Sequence, residues 1–370
     1  MKIKTINLYH VKGRHWPRFP WIFLEIETDA GITGIGESLC YRSSGVYESL
    51  RNLRNRLKGR DPSQITVLTE ELLRSGMNTS AISGVEMALW DILGKSLKAP
   101  IHTLLGGNCR DKVDVYVDGF FRGADYVEEE YVQKALEAVA HGYFALKMDV
   151  DDPIPSGQSI NRTITPKDMM HTVKMVQAVR NAVGSTIKLA IDCHGAFNAT
   201  SAQELCHRLE PFDLMWVEDP VPQNNLKAMA KVTRNSAIPI CTGELLRTRF
   251  EFRELFEREA ADFIMPDIAR TGGIAELLRI SSYADTHYIP VAPHNMVGPI
   301  ATMASVHACA SIPNFAILEF QLGDVDWRDN ILTQPIPILN GQITVPRTPG
   351  LGIELQHTTL NNHLVPESKK

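Results

Sequence analysis

The 370-residue sequence predicts an α/β protein, with a strand-then-helix unit leading into a β/α barrel whose eighth strand has no helix after it. Three observations predict this. Strand patterns near the start give way to helical patterns in blocks. From residue 113 short β-branched runs alternate with amphipathic segments. Ionisable residues then recur at the ends of those runs, one βα step apart.

In the first unit, Met1–Ile6 lacks the apolar stretch of a signal peptide and reads as a strand. Trp21–Thr28 and Gly31–Ser38 flank Asp29-Ala30 as the two arms of a hairpin. Helical patterns follow at about 47–58, 63–75 and 81–97, and in the last Ile82, Val85, Ala88, Leu89, Ile92 and Leu93 line one face. Strands followed by helices predict an α+β domain over residues 1–112.

In the second unit, residues 113–339, strands are expected at Val113–Asp118, Phe144–Met148, Ile187–Asp192, Leu214–Glu218, Ile238–Glu244, Phe263–Asp267, Ile289–His294 and Phe315–Glu319. Amphipathic segments such as Val132–Ala140, Met169–Val183 and Glu276–Ala284 lie between them. An open doubly wound sheet is the competing arrangement, but no GxGxxG and no GxxxxGK follows any strand. Asp151–Thr165 is a polar insertion after the second barrel strand and reads as a loop or lid. Gly341–Val345 and Gly350–Glu354 look like a return to the first domain, completing it over about 340–370, with a loosely held polar tail beyond Gln356.

Composition narrows the function. With 38 Lys+Arg against 43 Asp+Glu the net charge is −5, which gives no basic footprint for nucleic acid. No apolar run is long enough to span a membrane. Six cysteines without paired spacing read as reduced thiols of a cytoplasmic protein. The acidic run Glu128–Glu130 reads as a solvated helix face.

The chemistry is expected at the C-terminal ends of the barrel strands. The second strand carries Lys147-Met148-Asp149 and the third ends in Asp192-Cys193-His194. The next five end in Glu218, Glu244, Asp267, His294 and Glu319. Asp192, Glu218 and Glu244 are spaced 26 residues apart, so equivalent positions on adjacent strands converge on one mouth. A single such acid more often caps a helix or pairs with an arginine. Three together would repel unless a cation sat among them, and oxygen ligands without cysteine suit Mg²⁺. Asp267 and His294 end neighbouring strands, where a carboxylate can fix the imidazole tautomer and make a general base. His194, two residues beyond Asp192, points to the same mouth as an acid catalyst or as a support for the metal ligand. Lys147 can meet an anionic substrate group or pair with Asp149, and Glu319 can hydrogen-bond a substrate carboxylate.

Taken together these residues resemble the enolase superfamily and, within it, the mandelate racemase-like branch. The resemblance includes Gly31-Ile-Thr-Gly-Ile-Gly-Glu-Ser38, Val85–Lys95, Leu104-Leu-Gly-Gly107, Pro266–Ile274 and Ala292-Pro-His-Asn295. It implies a modified TIM barrel, (β/α)7β, with an N-terminal α+β capping domain. It also implies Mg²⁺ held by Asp192, Glu218 and Glu244, with the Asp267–His294 dyad as base. Racemases of the branch carry a second lysine two residues after the first, and here that position is Asp149. One base on one face argues for elimination. The Asp192-x-His194 arrangement looks like that of galactonate dehydratase-type enzymes, which use such a histidine as acid. The resemblance therefore implies an aldonate dehydratase, a lyase, with Asp149 on sugar hydroxyls and His15, Trp16 and Arg18 of a capping loop over the substrate's far end. It also favours a homo-oligomer. A racemase, epimerase or cycloisomerase using Lys147 as the opposite-face base, and a catalytically silent metabolite-binding homologue, remain as alternatives.

Overall fold

A computed structural model of the chain describes residues 1–13, 19–40, 45–122, 127–151 and 159–366. The N-terminal unit begins with an antiparallel sheet in the order β1 (Ile3–Val11), β2 (Trp21–Thr28), β3 (Thr33–Leu39). The turn of the β2–β3 hairpin holds Gly31 at φ 76°, a left-handed conformation that costs glycine little. Three helices cover one face: α1 (Val46–Leu57), α2 (Ile65–Arg74) and α3 (Thr79–Leu97), the last capped by the Asn78 side chain on the Ser80 N–H.

The strand period of two explains why β2 is apolar on both faces. Ile22, Leu24 and Ile26 pack with the helices, while Trp21 and Phe23 face the barrel and pack with Ile268, Val297 and Ile300. The run Gly34-Ile-Gly36 has an equally local cause. A Cβ on Gly36 would lie 1.9 Å from the Gly84 carbonyl oxygen, so α3 can lie directly on β3 only if both positions are glycine.

A short helix, α4 (Ile101–Leu104), leads to the barrel. Its parallel strands run in sequence order: β4 (Lys112–Asp118), β5 (Ala145–Asp149), β6 (Lys188–Asp192), β7 (Val217–Glu218), β8 (Ile240–Thr242) and β9 (Phe263–Ile264). The expected seventh strand is reduced to Val291, which bridges Ile264 on one side and Phe315 on the other. The eighth, β10 (Leu318–Gln321), pairs with β4 and closes the ring. Between successive strands lie α5 (Glu128–Ala140), α6 (Pro166–Val183), α7 (Ala199–Leu209), α8 (Leu226–Arg234), α9 (Arg249–Glu257), α10 with α11 (Ile268–Thr271, Ile274–Asp285) and α12 (Pro299–Ser311). After β10 only a 3-10 turn at Asp329–Ile331 follows before the next strands, so this is a (β/α)7β barrel. Its interior is filled by Tyr116 and Trp216 set among Ala145, Ala190, Ala292 and Cys241, the two large rings meeting edge to face at 5.3 Å.

Two expectations about the C-terminal part change. The strand β12 (Gln342–Thr344), paired with β11 (Ile338–Leu339), runs antiparallel to β4 and extends the barrel sheet rather than the N-terminal one. The free edge of β4 below its parallel pairings supplies the backbone partners. The return to the first unit comes later, where Gly350 bridges Pro100 and Leu364 bridges Val11. The tail is also not loose up to that point, because α13 (His357–Asn362) buries Leu360. Of the insertion after β5, residues 152–158 lie outside the described residues.

Candidate active site

The barrel mouth gathers the strand-end groups. Lys147 and Glu319 are almost wholly buried, and the lysine Nζ lies 2.8 and 2.9 Å from the two Glu218 oxygens, 3.1 Å from Glu319 Oε1 and 3.3 Å from Asp192 Oδ2. Lys147 thus joins three carboxylates and not Asp149. Burial alone would lower its pKa, but Glu218 and Glu319 hold it well above the usual lysine range. Burial, and then Asp192 beside it, raises the Glu218 carboxyl. The Trp216 indole N–H also donates to Glu218, at 3.3 Å. Glu319 Oε2 accepts from the Asn295 backbone N–H at 2.7 Å.

Across the mouth, His294 Nδ1 lies 2.6 Å from Asp267 Oδ2. The other Asp267 oxygen caps α10 by accepting from the Ala269 N–H at 2.7 Å, so the carboxylate is pinned and dictates the ring's orientation. His294 Nε2 lies 3.0 Å from Glu244 Oε2 and 3.7 Å from Glu319 Oε2. Burial works against a charged ring here, yet Glu319 and Glu244 raise its pKa well above the ordinary imidazole value. In return, and against its own burial, Glu244 is held below the usual carboxylate range by His294.

His194 sits in a left-handed backbone conformation, φ 45°, with its N–H donating to Asp192 Oδ1 at 2.8 Å. Its Nδ1 meets Asp151 Oδ1 at 2.8 Å and its Nε2 lies 3.5 Å from Asp192 Oδ2. Burial lowers this imidazole less than Asp192 and Asp151 raise it. The ring borders a cavity of about 620 Å³, also lined by Asp151, Arg162, Asp219, Gln223 and Arg247. Asp219 is buried, with its carboxylate accepting from Thr242 and Gln223, and burial followed by Glu244 pushes its pKa up to about 8.

The expected metal trio is only partly assembled. Ligand atoms of Asp149, Asp192 and His194 lie within 4.8 Å of one another, and among the described residues that is the group at metal-ligand spacing. Asp192 and Glu218 are drawn to the Lys147 ammonium and Glu244 to the His294 ring, so these three carboxylates do not close to that spacing. The donor chemistry nevertheless fits a hard divalent ion. Asp192, Glu218 and Glu244 are buried oxygen donors crowded enough to need positive charge among them. Asp149 pairs in register with Asp192 across β5 and β6. His15, Trp16 and Arg18 lie outside the described residues. Asp151 and Asp219 were not legible as site residues. A loop-opening acid and an acid next to a predicted ligand carry no spacing signal of their own.

Residues 15–106 match the family described as mandelate racemase / muconate lactonizing enzyme, N-terminal domain, and residues 130–359 match enolase C-terminal domain-like proteins. The chain is 37% identical over 359 residues to D-xylonate dehydratase of Haloferax volcanii, covering 94% of this chain and 86% of that one. It is 31% identical over 369 residues to D-galactonate dehydratase of Ralstonia pickettii, covering 96% and 92%. The solved structure of a mandelate racemase/muconate lactonizing enzyme-like protein from Rubrobacter xylanophilus superposes with a TM-score of 0.91 at 34% identity, covering 99% and 98%. Cap, closed barrel and strand-end chemistry agree with these matches: the chain belongs to the enolase superfamily, in its mandelate racemase / muconate lactonizing enzyme branch.

Proposed function

We propose that the protein is a Mg²⁺-dependent acid-sugar dehydratase acting on an aldonate. The C2 proton and the C3 hydroxyl leave as water, and the resulting enol tautomerises to a 2-keto-3-deoxy acid. The observation that carries this reading is the pair of imidazoles at one mouth, His294 and His194, separated by the carboxylate cluster and each tied at Nδ1 to an aspartate. The dehydratase names of its relatives support it.

With Glu244 turned to a cation instead of to the ring, His294 would be neutral at Nε2, which takes the C2 proton while Asp267 keeps Nδ1–H fixed. Asp192, Glu218 and Glu244 would hold Mg²⁺, which supplies positive charge to the substrate carboxylate as that proton leaves. Lys147 and Glu319 orient the same carboxylate. His194 gives a proton to the departing C3 hydroxyl, and Asp149 hydrogen-bonds sugar hydroxyls. Asp149 stands where a racemase would carry its second base, which supports elimination over racemisation. His15, Trp16 and Arg18 are assigned to the substrate's far end. In this reading residues 1–112, completed by the return from Gly350 onward, cap the barrel that starts at residue 113 and takes in β12, and the enzyme is a cytoplasmic homo-oligomer.

The test is a panel of aldonic and aldaric acids incubated with Mg²⁺, following 2-keto-3-deoxy product by semicarbazide absorbance and C2 deuterium exchange by NMR. Product from one acid, or from a stereochemically related few, is expected. Exchange with no loss of water would replace dehydration with racemisation or epimerisation.

A further inference from the structure

Asp151 opens the segment after β5, 43 positions from His194, and is only 4% exposed. The backbone around His194 is held from several sides. Its N–H binds Asp192, the next N–H, of Gly195, donates to the Asp219 carbonyl at 2.7 Å, and the Gly195 carbonyl accepts from Arg162 Nη1 at 2.6 Å. What remains free is rotation of the imidazole, whose side chain is 31% exposed beside the 620 Å³ cavity. The Asp151 carboxylate, 2.8 Å from Nδ1, removes that freedom.

The same geometry recurs across the mouth. Asp267 meets Nδ1 of His294, and in both rings Nε2 is left facing the carboxylate cluster. The difference is exposure. His294 is 5% exposed and packed in place, whereas His194 borders open space and depends more on its partner.

We infer that Asp151 is a positioning residue, the counterpart of Asp267, which keeps Nδ1–H of His194 turned to itself and Nε2 turned to the mouth. This rests on the dehydratase reading, in which Nε2–H is the proton passed to the C3 hydroxyl as the C3–O bond breaks. Asp151 has no part in proton removal from C2.

Asp151→Ala separates these steps. With the acid that wild type dehydrates, the variant should lose water elimination by about 10- to 100-fold. C2 deuterium exchange should stay within about twofold of wild type. A 3-deoxy-3-fluoro analogue, whose fluoride leaves without a proton, should also be turned over within about twofold. Asp151→Asn, which keeps an acceptor oxygen, should recover part of the lost rate. If exchange and fluoride release fall in parallel with dehydration, Asp151 merely supports the shape of the mouth and the inference fails. Unchanged dehydration in Asp151→Ala sinks it as well, leaving the dehydratase reading intact. Exchange without water loss in the wild type removes that reading and the inference together.

Discussion

Buried carboxylates occur in two regions of this molecule and do different work in each. At the interface between cap and barrel, Glu37 accepts from the Gly298 and Ala301 N–H groups, at 2.5 and 3.0 Å, where α12 begins. Glu86 accepts from Ile274 and Ala275 at 2.7 and 2.9 Å where α11 begins, and from the Trp90 indole at 2.7 Å. Asp91 accepts from Ile35 and Leu351 and pairs with Lys95. All three meet backbone donors held in place by the fold. For Glu37 and Glu86 these are at helix N-termini, whose unpaired N–H groups and dipoles favour an anion, and for Asp91 they come from β3 and from residue 351. At the mouth, by contrast, Asp192, Glu218, Glu244 and Glu319 share one ammonium and two imidazoles. Burial raises the carboxyl pKa of Glu37 and Glu86 to about 7, so a perturbed pKa does not separate the two regions. What differs is that Glu37 and Glu86 accept from uncharged N–H donors, whereas each carboxylate at the mouth meets Lys147 or His294. The regions are also connected, since α10 and α11 follow Asp267 and α12 follows His294, so the cap grips the elements that carry the dyad.

Breaking the mouth should have the largest effect. His294→Asn is expected to lower both C2 exchange and dehydration by about 10²- to 10⁴-fold with folding intact. Turnover within tenfold of wild type would remove the general-base assignment. Removing metal with EDTA should abolish activity and Mg²⁺ should restore it. Glu218→Gln and Glu244→Gln should each prevent that restoration, and undiminished activity in EDTA would end the metal reading.

Breaking the interface should act on stability instead. Glu86→Gln turns an amide N–H₂ toward one of two backbone donors, at a cost of about 1–3 kcal/mol in urea unfolding. C2 exchange per folded molecule should remain close to wild type. If exchange collapsed while stability held, the division between the two regions would be wrong.

The last effect is one of pH. A folded pKa of about 7 for Glu37, against an ordinary 4.5, means that the folded state keeps a proton the unfolded state releases. This group's contribution to stability is complete below pH 4.5 and is lost as pH rises through about 7. Glu37→Gln should flatten that part of the stability–pH curve, measured by urea unfolding from pH 4.5 to 7. An identical slope in both proteins would show that the carboxyl titrates equally in the folded and unfolded states.

Much of the site was legible because barrel geometry turns sequence spacing into spatial order. The two steps of 26 residues brought Asp192, Glu218 and Glu244 to one mouth, and neighbouring strand ends brought Asp267 to His294. The reason for glycine at positions 34 and 36 was not read from the sequence, because it lies in the approach of α3 from elsewhere in the chain. Strand ends were less clear, since the runs expected at Ile289–His294 and Phe263–Asp267 shrink to one bridge and two residues. β-Branched composition marks a residue that fits a sheet, whereas ladder pairing depends on a neighbour strand elsewhere in the chain.

By itself the sequence determined the order of elements, the faces they bury and the types of group at each strand end, because side-chain direction follows local periods of 2 and 3.6 residues. Beyond the Asp267–His294 pair, tertiary structure decided which charge meets which. It placed Lys147 on Asp192, Glu218 and Glu319 rather than Asp149, turned Glu244 to His294, gave Asp151 to His194 and set Gln342–Thr344 against β4. Those choices turn on distances of about 3 Å between groups tens to hundreds of positions apart. Coulomb attraction and desolvation at that range depend on how the closed barrel packs, and no local pattern encodes it.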